Sequence, residues 1–183
     1  NTAIAYAHLF NKVLQKEQSL IYSLPPISIA HIKRMSRSFG MIQFSKGNRP
    51  DIKTGYTLDD NVRALMALCH VYVKTKDPSC EKYIKKYLTF IRYCQQPDGS
   101  FLNYVDKQLA FTTQNAEINL EDSNARAIYA LGYFISLRGK FPDVWTEDAT
   151  EIIEQTFDMI MKMKSPRSIA YIIKGLYHFE QAY

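Results

Sequence analysis

The sequence predicts an all-α protein of stacked antiparallel helical hairpins, a partial (α/α) toroid. Apolar residues recur at the helical spacing i, i+3, i+4, i+7 over most of the chain, and no segment alternates for more than a few residues. One acid-led phrase is also written twice, "YTLDDNVRALMAL" from Tyr56 and "INLEDSNARAIYAL" from Ile118. A helix-loop-helix unit returning every ~60 residues is the mark of an array in which each hairpin buries its apolar face on its neighbours.

The elements follow in order. A first helix runs from Ala3 to Gln18 and ends at the Leu24-Pro25-Pro26 break. A second, "ISIAHIKRMSRS", starts just after Pro26 and stops before Gly40. The polar stretch "GMIQFSKGNRPDIKTGY" then reads as a loop. A third helix begins near Leu58, with Val62, Leu65, Met66, Cys69 and Val73 on one face. Pro78 opens a fourth striped by Tyr83, Ile84, Tyr87, Leu88 and Ile91. A second loop, "PDGSFLNYVDKQLAFTTQNAEI", leads to a fifth helix over Glu121–Leu137. A sixth covers Val144–Met163, and Ser165-Pro166 starts a seventh that reaches the end. Any strands are short and lie in the two loops.

Residues 1–183 form one helical domain, because a chain of 183 residues supports one sizeable core and not two. With 46% hydrophobic and 22% charged residues the balance is that of a globular protein. No apolar run approaches the roughly 20 residues that cross a bilayer, so no membrane partner is expected. The three cysteines, Cys69, Cys80 and Cys94, are odd in number and lack CxxC spacing, which speaks against a disulfide framework and for a reducing, cytoplasmic setting. The chain opens on Asn1, as a processed product or a piece of a longer protein would. The net charge of +5 raises nucleic acid, but the basic stretch Lys74–Lys86 is broken by Asp77 and Glu81 and reads as a solvated helix face. Nucleic acid is not expected.

The doubled acids carry the chemistry. Asp59-Asp60 and Glu121-Asp122 each follow an N-cap candidate, Thr57 and Asn119. Asp60 and Asp122, three residues after those caps, fit as first-turn caps. Arg63 and Arg126 stand close enough to neutralise an acid at i, i+4. Capping accounts for one acid per helix and leaves Asp59 and Glu121 free to project. Two carboxylates facing a sugar are the working parts of glycoside cleavage, one giving a proton while the other activates water or attacks. Glu121, with the longer reach, is the candidate general acid, its pKa raised by burial or its neighbouring acid. Asp59, favoured as the ion by the helix dipole, is the base or nucleophile. Gln43, Phe44, Tyr56, Phe101, Asn103 and Tyr104 in the loops offer amides and rings for a sugar.

The stretches "HIKRMSRSFGMIQFS", "PDIKTGYTLDDNVRAL", "YLTFIRYCQQPDGSFLNYV", "LEDSNARAIYALGY" and "IAYIIKGL", in this order, resemble a bacterial family of helical domains often attached to sugar transferases. That family belongs to the six-hairpin (α/α)6 toroids, which include many glycosidases. The match runs from about Pro26 to Leu176 and is most specific at "GYTLDDNVRAL" and "LEDSNARA". The resemblance implies that Asp59, Asp60, Glu121 and Asp122 line a cavity with His31, Arg34 and Asn103. Two departures matter. Seven helices cannot close a six-hairpin ring, and the second phrase has one extra residue between its acids and its Arg. "QQPDGSF" is also similar to the QxxDGSW turn of terpene cyclases and related toroids, where Gln ties off helix ends. That motif is architectural.

Metal and cofactor chemistry find no support in the sequence. "DDNVR" puts Arg63 where a DDxxD prenyl-transfer motif would have its last acid. None of the four histidines shares a zinc-ligand cluster, and no Gly-rich phosphate loop or GxSxG elbow occurs, so no metal and no cofactor are expected. Two readings stand: a glycoside hydrolase-like domain that hydrolyses, phosphorolyses or transfers a sugar, and a non-catalytic helical module of a longer protein, binding sugar or protein. The expected partners are a carbohydrate and either a second copy of the chain or its own remainder. If Asp59 and its fellows are spent on Arg63 and Arg126, the module is favoured.

Overall fold

The computed structural model describes residues 2–15 and 26–183 and is mostly helical. Its elements are α1 (Thr2–Leu14), α2 (Ala30–Met35), α3 (Leu58–Thr75), α4 (Glu81–Cys94), α5 (Gln114–Glu117), α6 (Glu121–Ile135), α7 (Asp143–Glu154), α8 (Phe157–Ile160) and α9 (Pro166–Glu180). Strands β1 (Ser45–Lys46), β2 (Arg49–Pro50), β3 (Tyr56–Thr57) and β4 (Tyr104–Val105) are two residues each and lie in the two expected loops. β1 and β2 close a local hairpin. β3 pairs antiparallel with β4, Tyr56 opposite Val105 and Thr57 opposite Tyr104, so one short ladder ties the two loops together.

α6 is the hub. It packs on α3, α7 and α9, while α4 lies against both α3 and α7. Of the stripe expected on the third helix Val62, Leu65 and Cys69 are buried and Met66 and Val73 half-buried; with Leu68 they pack in one core with Ile84, Phe90 and Ile91 of α4 and Ile128, Leu131 and Phe134 of α6. Each fully buried aliphatic or Phe side chain contributes about 1.5–3 kcal/mol of transfer free energy. α6 and α9 approach most closely at Gly132 and Gly175. A β-carbon on Gly132 would lie 2.0 Å from the Gly175 carbonyl oxygen, so only glycine permits this crossing.

Three helices differ from expectation. α1 stops at Leu14 and none of its residues is buried; the Pro25 break lies outside the described residues. α2 has only six residues, because Ser36 turns to extended backbone while its hydroxyl bonds Ile32 O (2.7 Å) and Tyr87 Oη (2.5 Å). The sixth helix is broken into α7 and α8. Gln95 Nε2 donates to Ile152 O (2.9 Å), and the Thr156 amide bonds Ile153 O instead of continuing the helical ladder. The Asp98-Gly99 turn presses on the break: Gly99 has φ +80, and a β-carbon there would sit 1.9 Å from Gln155 O. The Gln of "QQPDGSF" therefore does tie off a helix end. Among the described residues, no helix is long and apolar enough to cross a membrane.

Candidate functional site

The site is assembled where α3 and α6 begin. Each helix carries an Asn in its first turn that fastens the preceding loop. Asn61 Oδ1 accepts from the Met41 amide (2.8 Å), and its Nδ2 donates to Thr57 O (2.7 Å) and Met41 O (3.3 Å). Asn124 repeats this with Phe101: Oδ1 from Phe101 N (2.7 Å), Nδ2 to Phe101 O (2.8 Å) and Leu120 O (3.0 Å). These equivalent clamps set the register of the repeat. Asp59 pairs with Asp122, Asn61 with Asn124, and Arg63 with Arg126; Asp60 matches Ser123, and Glu121 falls opposite Leu58. The extra residue noted in the sequence is the result of aligning the wrong acids.

Asp59 and Asp122 are joined by one guanidinium. Arg126 Nη1 lies 2.6 Å from Asp59 Oδ1, and Nη2 lies 2.6 Å from Asp122 Oδ2. The other carboxylate oxygens are taken by Arg63 Nη2 (2.8 Å, Asp59) and Arg167 Nε (2.7 Å, Asp122). The relay Arg63–Asp59–Arg126–Asp122–Arg167 thus spans α3, α6 and α9. Burial works against the charge of Arg126, but Asp59 and Asp122 outweigh it and hold the guanidinium more firmly protonated than usual. Its face lies over Tyr171, 5.3 Å from the ring centre.

Glu121 and Asp122 depart from their expected roles, and Asp60 keeps its own. Glu121 is not a proton-holding acid. Its Oε2 accepts from the amides of Ser165 (2.8 Å) and Lys164 (3.2 Å), at the start of α9, and these two bonds lower its pKa. Asp122 is not a cap; its carboxylate is spent in the relay, and Asn119 Oδ1 takes the Glu121 amide instead (2.8 Å). Asp60 does belong to a closed cap, with Thr57 Oγ1 accepting from the Asp60 amide (3.2 Å) and donating to Asp60 Oδ2 (2.5 Å). Burial raises the Asp60 carboxyl above the usual range; Thr57 opposes this and the charge of Asp59 adds to it. Asp60, not Glu121, is the acid whose environment favours the proton.

Of the expected binding residues, Asn103 is at the site but buried. Its Oδ1 caps α3 by accepting the Asp59 amide (3.0 Å), so its contribution is to position that acid. Tyr56 is a core residue, 5% exposed and packed against Phe39 and Phe90, because its strand is pinned by β4. Gln43 is half-buried, bonded through its amide to Gly55 O (3.0 Å). His31 and Arg34 lie exposed on α2, outside the cleft described next.

Two clefts meet at Arg126. A polar one of about 190 Å³ is lined by Asp59, Asn103, Tyr104, Asn119, Asp122 and Arg126. The other, of about 260 Å³, lies between Val62, Arg63 and Met66 of α3, Arg126 and Tyr129 of α6, and Tyr171 of α9. Glu121 faces a different hollow, beside Met159 and Met163. Sequence reasoning missed Asn61, Asn124, Arg167 and Tyr171. The first two could have been found, since Asn follows an acid by two residues in both phrases. Among the described residues no group of three or more His, Cys, Asp or Glu side chains is placed to hold a metal ion. The chain matches no protein-family model, and no curated protein matches it.

Proposed function

We propose that this chain is a carbohydrate-binding helical module, one arc of an (α/α)6 toroid of the sugar-transferase-associated kind that its motifs resemble. One observation carries the reading. Asp59 and Asp122 share a cleft with Asn103 and Tyr104, yet each of their oxygens lies within ion-pair distance of Arg63, Arg126 or Arg167, although Asp122 Oδ1 is buried without a hydrogen bond. Glycoside cleavage needs one carboxyl to deliver a proton and a second to attack or activate water. Carboxylates locked between guanidiniums are poorly suited to either, but they present fixed planar hydrogen-bonding groups to sugar hydroxyls. The arc is supported by α6 lying between α3 and α9, and by the exposed apolar stripe Ile169, Ile173 and Tyr177 on α9, where a further hairpin or a second copy would pack.

The test is calorimetric titration with a panel of neutral and acidic oligosaccharides, alongside a turnover assay with and without phosphate. Binding without turnover is expected, and Asp122→Asn weakens it. Absence of binding to every sugar overturns the reading.

A catalytic reading rests on Asp60 alone, whose carboxyl is raised by burial next to Asp59, although it is held by Thr57 Oγ1 and lines neither cleft. Hydrolysis, phosphorolysis or transfer that disappears in Asp60→Asn would establish it in place of the binding module.

A further inference from the structure

The two clefts on either side of Arg126 differ in charge. The polar cleft contains both relay carboxylates. The second, with Val62 and Met66 on its apolar wall, is lined by two arginines and two tyrosines and by no acid. Its volume is about 260 Å³, room for a charged substituent reaching past Arg126.

The cations around this cleft have capacity to spare. Arg63 is 57% exposed and gives only Nη2 to Asp59, leaving its other N–H groups without a carboxylate partner. Arg167, 69% exposed, engages Asp122 through Nε, which leaves its two terminal nitrogens uncommitted to that carboxylate. Lys174 lies 4.5 Å over the Tyr129 ring, adding a third exposed cation from α9. Asp59 and Asp122 already compensate Arg126 from the far side. Against the two carboxylates of Asp59 and Asp122 the guanidiniums of Arg63, Arg126 and Arg167 leave one positive charge in excess, and Lys174 adds another, so the largely apolar and aromatic second cleft has a cationic rim; guanidinium forks match carboxylate and phosphate geometry.

We infer that the cleft between Arg63, Arg126, Tyr129 and Tyr171 is a subsite for an anionic group, a carboxylate or a phosphate, carried on a sugar. The inference rests on the carbohydrate-binding reading and adds to it the charge class of the ligand. The ligand's neutral portion occupies the polar cleft, and its acidic group crosses Arg126 to reach Arg63.

Calorimetric titration of the whole chain tests this with four probes: a neutral disaccharide, its uronate-containing counterpart, a hexose phosphate and a single-stranded oligonucleotide. The uronate or the phosphate sugar binds about tenfold more tightly than the neutral one, as a charge-assisted pair warrants. Whichever of the two binds better identifies the anion. Added salt narrows the difference. Arg63→Gln, at an exposed position, folds as the parent does by circular dichroism and brings the acidic-to-neutral ratio close to one. Equal binding of neutral and acidic sugars overturns the inference and leaves the carbohydrate reading intact, as does a preference that survives Arg63→Gln. Tighter binding of the oligonucleotide than of any sugar overturns the inference in favour of a nucleic-acid ligand. Failure of every sugar to bind removes the carbohydrate reading itself, and the inference with it.

Discussion

Arg126 on α6 reaches Asp59 on α3 with 2.6 Å between Nη1 and Oδ1, and so ties the first turns of two helices that are far apart in sequence. The pair is a crosslink between repeats rather than a pair of independent helix caps. Removing Arg126 leaves two partly buried carboxylates with one exposed arginine each, Asp59 with Arg63 and Asp122 with Arg167. Arg126→Met therefore costs about 2 kcal/mol, less than a fully buried pair because a quarter of Asp59 meets solvent. Urea unfolding measures it, and a double-mutant cycle with Asp59→Asn gives a coupling of about 1 kcal/mol. Additive effects of the two substitutions would mean that the contact carries no energy.

Glu121 stabilises α9 as an ion. Its folded-state pKa lies below the unfolded one, chiefly through the Ser165 amide. The contribution is complete above about pH 4.3 and is lost as the pH falls through the lower folded value. Glu121→Gln lowers Tm at pH 7, and the gap from the parent closes on going to pH 3. A gap that is constant with pH would assign the loss to shape and not to charge.

Asp60 behaves in the opposite sense. Burial raises its folded pKa, so ionisation costs stability once the pH exceeds about 3.9. Asp60→Asn keeps an acceptor for the Thr57 hydroxyl and has no charge to bury. Thermal melts should place this variant above the parent at pH 7, with the two converging in acid. A variant less stable at neutral pH would show that the carboxylate is worth more than its burial costs.

The Asn124 clamp is structural and costly to lose. Asn124→Ala leaves the buried Phe101 N–H and C=O without their side-chain partner. An unpaired buried group costs about 1–3 kcal/mol, so the variant loses about 2–6 kcal/mol if neither finds water. Hydrogen exchange at the Phe101 amide reads the same event locally, and unchanged protection there would argue that the loop holds itself.

The helices were legible because a 3.6-residue apolar period reports burial directly, and Val62, Leu65 and Ile84 are where that period puts them. Caps that act within a few residues were legible too: Thr57 with Asp60 is spelled out in "TLDD". Everything set by distant chain was not. The α7 break depends on Gln95 reaching Ile152, and nothing within Val144–Met163 announces it. The Glu121 error has the same origin, since its partners are the amides of Lys164 and Ser165 across the fold. Tyr56 looked available because it sits in a polar loop, while its strand pairing with Val105 buries it.

The Asn61 and Asn124 clamps also bear on how such a chain can diverge. Each loop is fastened to its helix at one residue, Met41 or Phe101, by a side chain that belongs to the helix. The β1–β2 turn at Gly47 lies beyond the first fastening and in open space, with a φ of +59 that keeps glycine favoured at that one position. Insertions or exchanges at that tip would leave the helix start, and the charged relay behind it, in register. The repeated phrase is thus a fixed socket, and the loops are the parts that evolution is free to swap.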